Sequence, residues 1–203
     1  MLFCGDLTIL LLGLAFHCFL LQETENRYAT ALAGHRAAIL FNFDFIRNTV
    51  LNKECHLRVV LLNPESPFVP ALEKHYGYAE GHLVELINEV ADKWKSLYRD
   101  VEEKRENCLR NRISTYKNKK CGSVELYYFN GQPTNSLYRI DEKIIVVNAK
   151  NSREKSVYLP YTIFVNNGEK GVYQVYLKEI ETIIKEAVKV EIAITEDGSS
   201  ANN

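Results

Sequence analysis

The residue types able to do chemistry concentrate in segment 133–151, PTNSLYRIDEKIIVVNAKN, which reads as two short strands around a charged turn of Asp141, Glu142 and Lys143. Thr134 and Ser136 offer hydroxyls there, Asp141 a carboxylate, Asn151 an amide and Arg139 a fixed cation. Arg139 could clasp a phosphate or carboxylate through two hydrogen bonds. A second group, Asn63, Glu65 and Ser66, follows a strand pattern ending near residue 62. Loops at the ends of a sheet are where such a fold would hold a ligand. His17 stands beside Phe16 and Phe19, a setting more often structural than catalytic. A phosphodiesterase or nuclease with a non-standard site would need it to converge with Glu65 or Asp141. Taken singly, each residue also has a structural explanation: Thr134, Ser136 and Asn151 as turn residues, Arg139 paired with a surface carboxylate.

Other chemistries lack their signatures. No phosphate-binding G-x-x-x-x-G-K-[ST], dinucleotide G-x-G-x-x-G, zinc-protease H-E-x-x-H or hydrolase G-x-S-x-G occurs. The five cysteines (Cys4, Cys18, Cys55, Cys108, Cys121) are odd in number and scattered, with no C-x-x-C pair and no histidines at zinc spacing. That argues against a disulfide framework and a metal centre, and for reduced thiols in a cytoplasmic protein. No cofactor is implied. Net charge is −1, from 25 basic and 26 acidic residues, so no global field favours nucleic acid or an anionic membrane. The basic run KRENCLRNRISTYKNKK, 104–120, is read as a solvated helix end whose charge offsets the dipole; a local phosphate contact is the functional alternative.

The elements that must position these residues are readable from periodicity. With 46% hydrophobic residues, twelve tyrosines and nine phenylalanines, the chain can build a substantial core. Residues 24–54 read as largely helical, with Ile39, Phe43, Ile46 and Val50 at three- and four-residue steps. A strand is expected over 56–62, and the three prolines of NPESPFVP predict a loop after it. Leu83, Ile87, Val90, Trp94, Leu97 and Val101 form one stripe of a long helix over about 80–112. Four strands follow, in VELYYFN, NSLYRID, KIIVVNA and SVYLPYTIFV, and a helix over about 171–189 closes the fold. The order β–α–β–α–β–β–β–β–α predicts one α/β domain over 1–190, with early βαβα crossovers, parallel strands and later antiparallel hairpins in a mixed sheet. Residues 191–203 read as an extension with a disordered end.

The apolar opening LTILLLGLAFHCFLL, 7–21, admits three readings. A central strand over about 7–13, covered on both faces, is favoured, with the chain bending near Gly13. The run is 15 residues long, interrupted by Gly13 and His17, against about 20 for a spanning helix. A membrane anchor through 7–21, placing the protein on a membrane, is the main alternative. A signal peptide ranks third, because no basic residue precedes the run and no small-residue cleavage site follows.

The order of elements and TNSLYRIDEKIIVVNAKN together resemble the phospholipase D-like fold in its single-copy form. Active members carry H-x-K-x-x-x-x-D and a downstream Asn; the His attacks phosphorus and the Lys holds phosphate oxygens. Matching on IDEKIIVV sets the motif Asp on Asp141 and the Asn on Asn151, which leaves Thr134 at the His position and Ser136 at the Lys position. Neither residue is a nucleophile with a base beside it in sequence, and neither brings positive charge. LRVVLLNPESP, the long helix, VELYYFNGQPTNSLYRIDEKIIVV and VYQVYLKEIETIIKEA are similar to a bacterial and archaeal branch that usually lacks the catalytic motif. The resemblance thus implies a non-catalytic domain for ligand sensing or protein interaction. Its expected partner is a small ligand bearing a phosphate or carboxylate. It also implies a homodimer, since active single-copy relatives pair two copies to complete one site.

Overall fold

A computed structural model describes residues 6–11, 43–52, 55–110, 122–149, 161–168 and 170–193. In chain order the elements are β1 (Asp6–Leu11), α1 (Phe43–Asn52), β2 (His56–Leu62), α2 (Val69–Tyr76), α3 (His82–Arg110), β3 (Ser123–Phe129), β4 (Asn135–Ile140), β5 (Ile144–Ala149), β6 (Tyr161–Val165), α4 (Val172–Glu186) and β7 (Val188–Lys189). The expected mixed α/β class is observed. All seven strands join one sheet in the order β6-β5-β4-β1-β2-β3-β7.

β1, β2 and β3 are parallel, as expected from the intervening helices. The hairpin strands extend the sheet on the far side of β1: β4 pairs antiparallel with β1, β5 with β4 and β6 with β5. The chain must therefore cross the ends of β2 and β1 between β3 and β4. That distance is three strand spacings, about 14 Å, and only residues 130–134 cover it. The connection is short, reaching about 20 Å at full extension, and Pro133 within it is buried.

β1 occupies the middle of the sheet, with β2 on one side and β4 on the other. Five residues of the apolar run 7–21 are thus strand; residues 12–21, His17 among them, lie outside the described residues. Among the described residues no helix is long and apolar enough to cross a membrane.

A sheet with a parallel centre needs cover on both faces. α1 and α3 cover one face. The predicted stripe of α3 is buried along its whole length, and Trp94 and Leu97 are fully enclosed with Leu57, Val59, Leu126, Tyr138 and Val146. Phe43 of α1 meets the Trp94 ring edge-on, centroids 5.2 Å apart. The outer face of α3 carries the ion pairs Glu89–Lys93 and Asp92–Lys95, at 2.9 and 3.0 Å. Such pairs add only a few tenths of a kcal/mol each. Lys104 reaches from α3 to the Leu51 carbonyl at the end of α1 and to Asn52 Oδ1, 3.0 Å. A cation there complements the negative end of the helix dipole. Arg105 bonds Glu102 at 2.6 Å and the Gly122 carbonyl at 3.3 Å. These first two cations of the basic run hold structure together; residues 111–120 lie outside the described residues.

α4 covers the other face. Tyr173, Ile180 and Ile183 pack on Val60, Leu137, Ile145 and Val147. Its 15 residues span about 22 Å, close to the width from β6 to β3, and it touches β3, β5 and β6 on its way across.

Two local expectations are corrected, one at the start of α2 and one at the end of α4. The loop expected over NPESPFVP ends at Phe68, and Val69 and Pro70 begin α2, a helix the sequence reading missed. Proline is accepted in a first helical turn because its missing N–H has no partner there. Gly77, at φ 73°, closes α2 in the left-handed region that glycine reaches without strain. Glu73, buried in α2, accepts the Leu83 N–H at 2.8 Å and so caps the start of α3. The expected helix over 24–54 is helical in 43–52; residues 24–42 lie outside the described residues. The final helix stops at Glu186 instead of 189, and Val188 and Lys189 pair with Tyr128 and Tyr127 of β3. β-branched Val188 and Val190 favour that extension, and Val190 N–H donates to the Leu126 carbonyl at 2.8 Å.

β7 is held by charge as well as backbone. Lys189 Nζ lies 2.6 Å from Glu125 Oε1, Tyr127 donates its hydroxyl to Glu125 Oε2 at 3.1 Å, and Arg58 stands 3.5 Å from the same oxygen. The Lys189 ammonium first, then the Tyr127 hydroxyl and the Arg58 charge, hold the Glu125 carboxyl below its ordinary value of 4.5. The folded value is the lower one, so the associated stability is present above pH 4.5 and is lost as pH falls through the lowered value. Glu125→Gln should flatten that part of the acid-side stability loss, read as the pH dependence of urea midpoints. Trp94→Ala should cost about 3–5 kcal/mol, because a fully enclosed indole leaves a cavity that helix and sheet cannot close; urea unfolding measures it.

Candidate functional site

The structure divides the predicted site residues between the two ends of the sheet. Asn63, Glu65, Ser66 and Thr134 lie at the end where β2 and β3 finish and β4 begins. Arg139 and Asp141 lie at the opposite end, with Arg139 about 13 Å along β4 from Asn135 at strand rise. One convergent site from all of them is therefore excluded. Glu65 and Asp141 cannot both serve one His, since they follow strands running in opposite directions. Asn151 and His17 lie outside the described residues.

At the far end, Arg139 and Asp141 build a turn. Asp141 adopts φ 51°, in the left-handed region that short polar side chains tolerate. Lys143 N–H donates to the Ile140 carbonyl at 3.2 Å, and Arg139 Nε donates to the Asp141 carbonyl at 3.0 Å. Arg139 thus engages a backbone carbonyl where a surface carboxylate was expected. Its guanidinium also stands beside Tyr173, whose hydroxyl pKa is raised by burial, with the Arg139 charge opposing that rise.

At the near end, Asn63 and Ser66 are used locally. Asn63 Oδ1 accepts the Glu65 N–H at 3.0 Å, and the Asn63 N–H donates to the Phe129 carbonyl at 2.9 Å. Ser66 is buried; its hydroxyl donates to the Asn130 carbonyl at 3.1 Å and accepts the Phe68 N–H at 3.4 Å. These bonds lock the loop after β2 to the tight connection after β3. Glu65 projects to solvent.

Ser136 and Tyr138 point from β4 to the α3 side of the sheet, and both are buried. Ser136 pairs across strands with Asn148 of β5, also buried. Burial raises the Tyr138 phenol well above its ordinary value, and the Ser136 hydroxyl beside it opposes that rise. The Ser136 side chain is fully enclosed, so it cannot meet a ligand in solvent.

Thr134 borders a cavity. An open cleft of about 350 Å³ lies between the 130–134 connection and α4, within the range of small-molecule sites. Phe129, Val175 and Ile183 form its apolar wall; Gln132, Thr134 and Thr182 supply polar groups, and Lys178 and Glu179 supply one charge of each sign. Lys178 has no ion-pair partner among the described residues. Thr182 is partly committed, since its hydroxyl donates to the Lys178 carbonyl at 2.8 Å. Lys178, Glu179 and Thr182 were missed because, in the sequence, they read only as the polar side of an amphipathic helix, and Val175 and Ile183 only as part of its apolar stripe. Among the described residues no group of three His, Cys, Asp or Glu side chains could hold a metal.

Gly131 shapes this cleft. A Cβ on it would lie 2.2 Å from Cζ of Phe129, whose ring folds back over the loop. Gly131→Ala should displace that ring from the core and cost about 1–3 kcal/mol, the range for overpacking. Urea unfolding reads the loss, and the near-ultraviolet signal should change with it.

No protein-family model matches this chain, and no curated protein matches it at a significant level.

Proposed function

We propose that this chain is a non-catalytic ligand-binding domain on a degenerate phospholipase D-like scaffold, with the cleft beside α4 as its binding site. One observation carries the reading. Of the two positions that match the motif's nucleophile and phosphate-holding lysine, Thr134 borders an open cleft and Ser136 is a sealed core residue. A hydroxyl inside the core, with no positive charge, cannot neutralise a transferring phosphoryl group. A hydroxyl at the rim of a cleft can donate to a bound acceptor. Lys178 provides the cation for a carboxylate or phosphate, and Phe129, Val175 and Ile183 receive the apolar part of a ligand.

The phosphodiesterase reading makes the opposite prediction. Purified protein incubated with bis(p-nitrophenyl) phosphate should release no nitrophenol above the buffer rate. Turnover that disappears in a folded His17→Ala variant would overturn the non-catalytic reading.

A further inference from the structure

The charge pattern of the cleft narrows its ligand. Lys178 and Glu179 are consecutive on α4 and both line the cavity, so the wall carries one cation, one anion and no net charge. A simple anion such as inorganic phosphate would gain Lys178 and be opposed by Glu179. A simple cation would meet the reverse. A ligand with a carboxylate and an ammonium on one small head satisfies both groups, and charge-assisted hydrogen bonds are the stronger kind. Gln132 and Thr134 add neutral donors and acceptors on the opposite rim.

The apolar wall sets the rest of the molecule. Phe129 and Ile183 are nearly buried, and Val175 is 65% exposed although it faces the cleft. An apolar body covering Val175 would remove that surface from water, which favours binding. We infer that the cleft binds a small zwitterion with an apolar side chain, the chemistry of a free hydrophobic amino acid or short peptide. This inference rests on the binding reading above and deepens it.

Calorimetric titration of the full chain separates the two. The probes are leucine and phenylalanine, their deaminated acids, their decarboxylated amines and inorganic phosphate. The zwitterions should bind tightest. Lys178→Gln and Glu179→Gln should each weaken them about ten- to hundredfold, as expected for losing one charged hydrogen bond. Both residues project from the surface of α4, so folding should survive, checked by unchanged circular dichroism. Val175→Trp, which fills the cleft, should abolish binding of every probe. If acids or phosphate bind as well as the zwitterions, and Glu179→Gln tightens them, the ligand class is wrong and the binding reading stands. If no probe binds at millimolar concentration, the inference and the proposed binding site fall together.

Discussion

The requirement to bury both faces of a sheet whose centre is parallel governs this molecule. β1, β2 and β3 run in one direction and are joined through helices, so no hairpin can leave one of their faces open to water. α3 meets the requirement on one side by laying a continuous apolar stripe around Trp94 against Leu57, Val59 and Leu126. α4 meets it on the other side and, among the described residues, is the one helix lying across those strands. One helix about 10–12 Å wide leaves part of the seven-stranded face to other residues. The space left beside it, under the tight connection from β3 to β4, is the cleft.

The same geometry explains why the polar residues split into separate roles. β4 enters the sheet beside β1 and runs against it, which puts the two ends of the segment 134–141 at opposite edges of the domain. Alternation along the strand then sends Ser136 and Tyr138 toward α3, and Leu137 toward α4. A motif that reads as one constellation in the linear chain becomes a cleft rim at Thr134, a buried hydroxyl at Ser136 and a braced turn at Arg139 and Asp141.

The cleft itself owes its shape to backbone economy. Five residues cross about 14 Å between the strand ends, and Gly131 accepts the Phe129 ring because it carries no Cβ. Hydrogen bonds from Asn63 and Ser66 hold the loop after β2 against this connection. Residues that looked available for a ligand are thus engaged in building the wall. The charged pair Lys178 and Glu179 comes from the far end of the chain and meets that wall only in the folded domain.

Strands β1 to β6, the long helix and the parallel start were determined by the sequence alone, because each follows from short-range periodicity: alternation for strands, three- and four-residue steps for α3. β2 matches its expected bounds, and every residue of the Trp94 stripe is buried as expected. α2 and β7 were hidden for opposite reasons. Pro70 signals a break although it sits where a helix starts, and residues 188–189 continue a helical pattern until β3 offers them a ladder. Which face Ser136 takes, where β4 inserts and what α4 leaves uncovered depended on tertiary structure. Those outcomes are set by contacts between residues far apart in the chain, and local spacing carries no record of which strand end or helix flank will become a neighbour.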